Sequence, residues 1–185
     1  FLDTPGHAAF GAMRKRGASV TDVAVLVCAA DDGVMPQTRE AAAHIIAAEC
    51  RYVVALTKCD VQGADPERVR GELAAAGIPL EAAGGDVQSV EVSAVTGQGM
   101  EDLEMALFLE AEALQLTAPN DKGTDGAGTV LEARLDKGQG AVVSGLLRRG
   151  ALAVGDDVVA GATFGRVRRL RGADGRELDA VGPSE

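Results

Sequence analysis

Five consecutive residues near the start of the chain have the types and the spacing of a metal and phosphate site. They are Asp3, Thr4, Pro5, Gly6 and His7, and they follow two apolar residues that we interpret as the last part of a buried strand. Gly6 allows a sharp turn that brings its N–H close to a ligand. The Asp3 carboxylate can reach a metal ion, and His7 follows the turn, where a side chain can face a bound phosphate.

The elements that would position these residues alternate between strands and helices. Residues 23–30 are a continuous apolar run, which is typical of a strand buried on both faces. Pro66 and Glu67 behind Asp65 indicate a helix start, and Gly77 indicates its end. The predicted strands cover residues 23–30, 52–56 and 88–92, and the predicted helices cover residues 8–19, 37–49, 65–77 and 100–116. This order predicts an α/β fold, a parallel sheet with helices on both faces.

Two of these helices carry further expectations. Helix 8–19 places Phe10, Met13 and Gly17 on one face, while Arg14, Lys15 and Arg16 supply charge. It is either a mobile helix that contacts a partner or an ordinary amphipathic helix with solvated basic side chains. Helix 100–116 is expected to turn Leu103, Leu107 and Leu114 inward.

Two further polar stretches follow predicted strands. The T-K-C-D segment, Thr57, Lys58, Cys59 and Asp60, comes directly after strand 52–56, and the S-A-V segment, Ser93, Ala94 and Val95, follows strand 88–92. Open α/β sheets bind ligands at the carboxyl ends of their strands, where both segments would lie. Each also has a plainer interpretation, because polar residues commonly end a strand and Ser and Gly are common in strand-to-helix loops.

The chain changes character after residue 116. Residues 117–127 have the composition of a linker, and residues 128–185 contain short alternating segments separated by Gly-rich or charged turns. The short segments are residues 129–135, 141–147, 158–160, 165–170 and 177–181. This pattern predicts a second domain, an antiparallel β-barrel that is incomplete within this chain.

Composition limits the possible classes. The chain of 185 residues is 46% hydrophobic and 25% charged, as expected for a globular protein. No apolar run approaches the roughly 18–20 residues of a membrane helix, so no membrane partner is expected. Residues 1–116 hold 8 Lys and Arg against 18 Asp and Glu, which argues against general nucleic-acid binding by this part. Three cysteines without C-x-x-C spacing indicate free thiols.

The three stretches, in this order and each after a successive strand, resemble the D-x-x-G, N-K-x-D and S-A elements of P-loop GTPases. The D-T-P-G-H form resembles the translational GTPases, and in particular the family of translation initiation factor two of bacteria and organelles. The stretches that carry this resemblance are FLDTPGHAAF at 1–10, MRKRGA at 13–18, AADDGVMPQT at 29–38, LDKGQG at 135–140, GDD at 155–157 and VGPS at 181–184.

The resemblance implies a function for each stretch. Asp3 would hold Mg²⁺ through water, and the Gly6 N–H would meet the γ-phosphate of GTP. His7 would be the catalytic residue, which orients the attacking water or stabilises the transition state on the ribosome. The segment Thr57–Asp60 would bind the guanine of GTP or GDP, with support from Ser93, Ala94 and Val95. The family delivers initiator tRNA and joins ribosomal subunits, so the ribosome and initiator tRNA, the latter through domains absent here, are the implied partners.

The chain also departs from the family pattern. No G-x-x-x-x-G-K-[ST] phosphate loop occurs in it, and Thr57 replaces the usual Asn. We expect the phosphate loop and first switch to precede Phe1, and the 185 residues alone to bind GTP very weakly and to be inactive. An elongation-type or selenocysteine-specific translational GTPase, or a non-catalytic ribosome-docking module, is the alternative.

Two expectations complete the resemblance. The compartment would be the cytoplasm of a bacterium, or the mitochondrial or plastid matrix. The arginines of the second domain form either a ribosomal RNA contact or a solvated strand face. This arginine cluster consists of Arg166, Arg168, Arg169 and Arg171.

Overall fold

A computed structural model describes residues 1–6, 11–118 and 125–184 of the chain. The chain divides into two compact units, unit one at Phe1–Leu116 and unit two at Thr117–Glu185. Several parts of the predictions lie outside the described residues: His7, residues 8–10 of the predicted helix 8–19, which include Phe10, residues 119–124 of the predicted linker 117–127, and Glu185.

Unit one is built on a three-stranded parallel sheet. Its strands are β1 (Val23–Ala29), β2 (Arg51–Thr57) and β3 (Ser89–Glu91), in the spatial order β1-β2-β3. Its helices are α1 (Gly11–Val20), α2 (Pro36–Ala47), α3 (Pro66–Ala75) and α4 (Met100–Ala113), with a short 3₁₀ turn at Glu81–Ala83. The predicted α/β class with a parallel sheet is confirmed.

The core of unit one lies between the sheet and helices α2 and α3. Residues 52–56 of β2 are all buried, because β2 is the central strand. In β1, Leu26 and Cys28 join the core, whereas Val27 between them is 58% exposed. Successive side chains of a strand point to opposite faces. The prediction that this strand is buried on both faces is therefore wrong at Val27.

Helix α3 begins and ends where the sequence signals place it. The Arg68 backbone N–H donates to the Asp65 carboxylate at 3.0 Å, and Pro66 occupies the first turn. At the other end Gly77 has φ of +87°, and the Ile78 N–H donates to the Leu73 carbonyl at 3.1 Å. The predicted helix start and end are confirmed.

Three expectations about apolar residues are wrong. Phe1 and Leu2 are 118% and 41% exposed and belong to no strand, because no described strand pairs with them. In α1 the Met13 side chain is 50% exposed, whereas Arg14 is only 7% exposed.

The third wrong prediction concerns the end of α4. Leu114 is 37% exposed, because α4 ends at Ala113 and its buried position is Ala106. None of the described helices is long and apolar enough to span a membrane.

Unit two consists of antiparallel strand pairs. Strand β4 (Ala127–Asp136) pairs with β5 (Gly140–Arg149), and β7 (Asp157–Ala160) pairs with β8 (Thr163–Arg166). Four strands of two residues form the other pairs, β6 (Leu152–Ala153) with β11 (Ala180–Val181) and β9 (Leu170–Arg171) with β10 (Glu177–Leu178).

The antiparallel arrangement is as predicted, but the strands within residues 125–184 pair two by two and do not close into a barrel. Among these residues Leu147 is buried, while Val159 and Phe164 are 79% and 89% exposed.

Candidate functional site

The loops behind the three parallel strands meet at one edge of the sheet. Since β1, β2 and β3 run in the same direction, their carboxyl ends lie at the same edge. The Ala30 N–H donates to the Thr57 carbonyl at 2.8 Å, and the Cys59 N–H donates to the Val92 carbonyl at 3.4 Å. The end of β2 is thus bonded to both neighbouring loops, and the T-K-C-D and S-A-V segments are brought together.

In the T-K-C-D segment, the carboxylate of Asp60 is accessible to a ligand, whereas the thiol of Cys59 faces the protein. Asp60 is exposed, whereas Thr57 and Cys59 are half-buried. The Cys59 thiol donates to the Leu56 carbonyl at 3.1 Å, and its burial raises the pKa of the thiol. Cys59 therefore stays protonated near neutral pH, and Asp60 is the group of this segment that can accept hydrogen bonds from a ligand.

Lys58 is held by two acidic side chains from the loop after β1. Its ammonium Nζ lies 3.0 Å from Asp31 Oδ2 and 3.2 Å from Asp32 Oδ2. The hydrogen bond to Asp31 raises the pKa of Lys58, and the same bond lowers the pKa of Asp31. An anchored ammonium restricts the rotamers of the aliphatic stem, which is the part of Lys58 expected to lie along a purine ring.

The S-A-V segment is held by Ser93, which is completely buried. The Ser93 hydroxyl oxygen accepts the Thr96 N–H at 3.1 Å, and the Ser93 N–H donates to the Gln98 carbonyl at 2.9 Å. Ala94 is exposed and Val95 is 87% exposed. Ser93 therefore fixes the loop from inside and leaves the backbone at Ala94 and Val95 accessible. The guanine-supporting role of this segment stays a prediction.

The D-T-P-G segment lies against α1. Asp3, Pro5 and Gly6 are exposed and Thr4 is half-buried. The Arg14 guanidinium Nη1 donates to the Pro5 carbonyl at 2.9 Å. The segment is also close to Gly17 of α1, where an added Cβ would lie 3.2 Å from Thr4 Cγ2.

A metal ion has limited protein ligation at this site. Within residues 1–6, 11–118 and 125–184, no group of three or more His, Cys, Asp or Glu side chains could hold a metal. Asp3 is a single exposed carboxylate, which fits a Mg²⁺ ion that keeps most of its waters and shares phosphate oxygens with a nucleotide. The Mg²⁺ assignment to Asp3 stays a prediction.

Four site residues were not identified from the sequence. Asp31 and Asp32 are part of the stretch 29–38 that carries the resemblance, Arg14 is one of three basic residues of predicted helix 8–19, and no role follows from the sequence for Glu40. The sequence did contain a signal for Asp31 and Asp32. Acidic residues directly after one strand lie beside a Lys directly after the neighbouring parallel strand, because both strands end at the same edge of the sheet. No local pattern distinguishes Arg14 from the basic residues on either side of it.

Two family models match the chain, and both belong to translation factors. The model of the elongation factor Tu GTP binding domain matches residues 1–119, and that of elongation factor G domain 2 matches residues 125–185. The first match covers well over half of the chain, and this part contains the parallel sheet and the loops at its carboxyl edge. The chain therefore belongs to the family of the elongation factor Tu GTP binding domain, the translational GTPases.

Among full-length relatives, the similarity is to initiation factors. Translation initiation factor IF-2 of Gluconacetobacter diazotrophicus and that of Granulibacter bethesdensis are each 54% identical to the chain over 184 residues, which is 100% of the chain and 20% of each relative. IF-2 of Phenylobacterium zucineum is 53% identical, with 100% of the chain and 18% of the relative covered. The chain spans about a fifth of the length of these curated relatives.

Solved structures of translation factors share the fold. GDP-bound aIF5B from Aeropyrum pernix has a TM-score of 0.78 and 26% identity, with 100% of the chain and 39% of that protein covered. A bacterial selenocysteine-specific elongation factor, EF-Sec, has a TM-score of 0.69 and 28% identity, covering 97% of the chain and 30% of that protein. Elongation factor SelB from Methanococcus maripaludis, in complex with a GTP analogue, has a TM-score of 0.72 over 98% of the chain and 40% of that protein; at 23% identity it supports the fold alone.

Proposed function

We propose that the chain is the guanine-nucleotide segment of a translation initiation factor, whose full gene product hydrolyses GTP on the ribosome while it delivers initiator tRNA and joins ribosomal subunits. The observation that carries the proposal is the Cys59–Val92 backbone bond, which holds the T-K-C-D and S-A-V segments side by side. Identity of 54% to IF-2 over the whole chain favours initiation over the elongation and selenocysteine-specific alternatives.

The base specificity follows from hydrogen-bond chemistry. The Asp60 carboxylate accepts two hydrogen bonds, which match the N1–H and 2-amino donors of guanine. Adenine lacks this pair of donors, so the carboxylate would lose its partners there. The stem of Lys58 lies along the base, and the backbone at Ala94 and Val95, held by Ser93, supports its other side.

The D-T-P-G-H segment senses the γ-phosphate. Gly6 donates its N–H to the γ-phosphate, and Asp3 binds the Mg²⁺ through water. When bound, Mg²⁺ would neutralise the negative charge that develops on the phosphate. His7, which follows the turn, orients the attacking water or stabilises the transition state, by positioning and electrostatics without covalent catalysis. Thr57 in place of Asn offers fewer hydrogen-bonding groups, which weakens the usual tie from this position to a phosphate loop.

The 185 residues alone bind GTP very weakly and are inactive. A phosphate loop supplies backbone N–H groups and a Lys to the phosphates, and the sequence contains no G-x-x-x-x-G-K-[ST]. Without those contacts most of the interaction with the triphosphate is missing. Micromolar GTP affinity measured for the 185-residue chain would contradict this proposal.

We also propose the location and the role of the arginine cluster. The factor acts in the cytoplasm of a bacterium or in the matrix of a mitochondrion or plastid.

Arg166 donates two hydrogen bonds to Asp157, at 2.9 and 3.1 Å, and Arg169 lies 3.7 Å from Glu177. These acidic partners favour a solvated strand face over a ribosomal RNA contact. Charge reversal at the cluster should therefore leave ribosome binding unchanged.

The proposed guanine site is tested by exchanging the base preference. In the full gene product Asp60→Asn replaces an acceptor by a side chain that also donates, which suits the 2-carbonyl of xanthine better than the 2-amino group of guanine. We expect GTP affinity to fall by about 100-fold, because the amide keeps only one acceptor oxygen and carries no charge, and affinity for xanthosine triphosphate to rise. Asp102→Asn, at an exposed position of α4, is the matched control. Unchanged GTP affinity in Asp60→Asn would contradict guanine binding by Asp60.

The proposed catalysis is tested separately at His7. In His7→Ala we expect ribosome-stimulated GTP hydrolysis to be lost while most of the nucleotide affinity is retained, since the proposed guanine contact of Asp60 and the backbone N–H of Gly6 do not depend on the His7 side chain. Retained ribosome-stimulated hydrolysis in this variant would show that His7 is not the catalytic residue, whereas a wild type without such hydrolysis would favour the docking-module alternative.

A further inference from the structure

Helix α1 carries an arginine that is buried although its two neighbours in sequence are exposed. Arg14 is 7% exposed, and its guanidinium connects two parts of unit one. Nη1 donates to the Pro5 carbonyl at 2.9 Å, and Nη2 donates to Glu40 Oε1 of α2 at 2.9 Å. The planar guanidinium fork suits such a bridge, because its donors are fixed relative to one another.

The bond to the Pro5 carbonyl also fixes the next N–H group. The peptide unit between Pro5 and Gly6 is planar and trans, so the Pro5 C=O and the Gly6 N–H point in opposite directions. A donor that holds the carbonyl therefore sets the direction of the N–H. Around Gly6 the space is open, since a Cβ added there would meet nothing within 4 Å. A ligand atom can approach Gly6 without displacing described protein atoms.

The far end of the bridge is also confined. Glu40 Oε1 accepts from Arg14 and lies 3.5 Å from His44 Nε2. Space for this carboxylate depends on Gly11, where an added Cβ would lie 2.5 Å from Glu40 Oε1. The carboxylate is thus held between α1 and α2, and it anchors the Arg14 guanidinium to α2.

We propose that Arg14 is a positioning residue that aims the Gly6 N–H at the γ-phosphate and anchors the D-T-P-G segment to α2 through Glu40. The assignment rests on the proposed function, which gives the Gly6 N–H its ligand. Since GDP has no γ-phosphate, Arg14 supports binding of GTP and not of GDP. A merely structural residue would affect both nucleotides alike.

The test compares GTP and GDP affinities of the nucleotide-free full gene product. We expect Arg14→Gln to lower the preference for GTP over GDP by about tenfold, equivalent to about 1.4 kcal/mol. Arg14→Lys should restore part of this preference, because a single ammonium keeps the charge but not the forked geometry. Glu40→Gln, which keeps a neutral acceptor for Arg14, should cause a smaller loss. An equal loss of GTP and GDP affinity in Arg14→Gln would overturn the proposal.

Lys15→Gln is the matched control, because Lys15 is the next residue of α1 and is exposed. Its nucleotide preference should equal that of the wild type. A second measurement needs no nucleotide: millisecond hydrogen–deuterium exchange, read by mass spectrometry on the peptide that contains Gly6. We expect faster exchange there in Arg14→Gln than in the wild type or Lys15→Gln.

The two measurements separate two kinds of failure. If the wild type binds no GTP, the proposed function is wrong, while the exchange rates still decide whether Arg14 orders the segment. If the wild type prefers GTP and Arg14→Gln keeps that preference, the positioning role is wrong and the proposed function stands. Unchanged exchange at Gly6 in Arg14→Gln would also overturn the role.

Discussion

The ammonium Nζ of Lys58 lies 3.0 Å from the carboxylate Oδ2 of Asp31, and this ion pair joins the loops that follow two adjacent parallel strands. A second carboxylate, Asp32 Oδ2, lies 3.2 Å from the same ammonium. The pair links the T-K-C-D segment to the end of β1 by side chains, in addition to the backbone bond between Ala30 and Thr57.

The Lys58–Asp31 pair predicts a specific titration. Mainly through the hydrogen bond from Lys58, the pKa of Asp31 is held below its ordinary value of 3.8. Lys58→Gln should move the Asp31 pKa back up towards that value, as measured by NMR titration of the carboxyl carbon. Any stability from this depressed pKa is present above about pH 3.8 and is lost as the pH falls through the folded pKa. An Asp31 pKa that is the same in the wild type and in Lys58→Gln would refute the pair in solution.

The contacts of Glu72 in α3 predict that the free energy of unfolding depends on pH. The Val34 N–H donates to Glu72 Oε2 at 2.9 Å, and Arg68 Nη1 donates to Oε1 at 2.6 Å. The Val34 bond is the main reason why the pKa of Glu72 lies below 4.5. Glu72→Gln should lower the free energy of unfolding above pH 4.5, and the difference from the wild type should vanish as the pH falls through the folded pKa.

Urea unfolding at a series of pH values measures this effect. Glu112→Gln, at an exposed position of α4, serves as the control and should follow the wild type throughout. A Glu72→Gln difference that stays constant across the acid range would show that the carboxylate charge is not involved.

We predict that removal of the Ser93 hydroxyl oxygen has a large effect on the free energy of unfolding. Because the side chain is completely buried and accepts the Thr96 N–H at 3.1 Å, Ser93→Ala leaves that N–H without its partner. We expect the free energy of unfolding to fall by about 1–3 kcal/mol. Gln98→Ala, at an exposed position of the same loop, should change it by less than about 0.5 kcal/mol. Equal effects of the two substitutions in chemical denaturation would speak against this role of Ser93.

Gly99 and Gly97 form a matched pair in the loop before α4. Both have positive φ, +68° and +79°, so alanine costs about 1–2 kcal/mol at either position. A Cβ on Gly99 would also overlap the Glu91 carbonyl oxygen, whereas a Cβ on Gly97 meets nothing within 4 Å.

Gly99→Ala should therefore destabilise unit one by about 1–3 kcal/mol more than Gly97→Ala, because the backbone at Glu91 must move. Thermal unfolding of the two variants and the wild type checks this difference. Equal midpoints for the two variants would mean that the loop moves aside without cost.

The parallel sheet and the positions of the site loops could be predicted because their signals are local. A continuous apolar run marks residues 52–56 as a buried strand, and Asp65 with Pro66 marks a helix start. Polar residues directly after such strands must lie at the carboxyl edge of the sheet. That the T-K-C-D and S-A-V segments lie at the same edge follows from this geometry, whereas their side-by-side position depends on β2 and β3 being neighbours in the sheet.

The side-chain partners could not be predicted because they are distant in sequence. Lys58 pairs with acids 26 and 27 residues away, and Arg14 pairs with Glu40 at a separation of 26. The helical face of α1 was misjudged for the same reason. A basic residue is normally assigned to the solvent side, but Arg14 is buried because a carboxylate and a backbone carbonyl both accept its N–H groups.

The backbone of Lys58 has a consequence for how this position responds to selection. Its φ of +59° is a left-handed conformation that glycine adopts freely and a side chain adopts only at a cost. Relief of this backbone strain therefore favours Lys58→Gly, whereas retention of the charged contact to the neighbouring loop favours lysine. A library randomised at this codon would yield different winners under a heat challenge and under a ligand-binding screen.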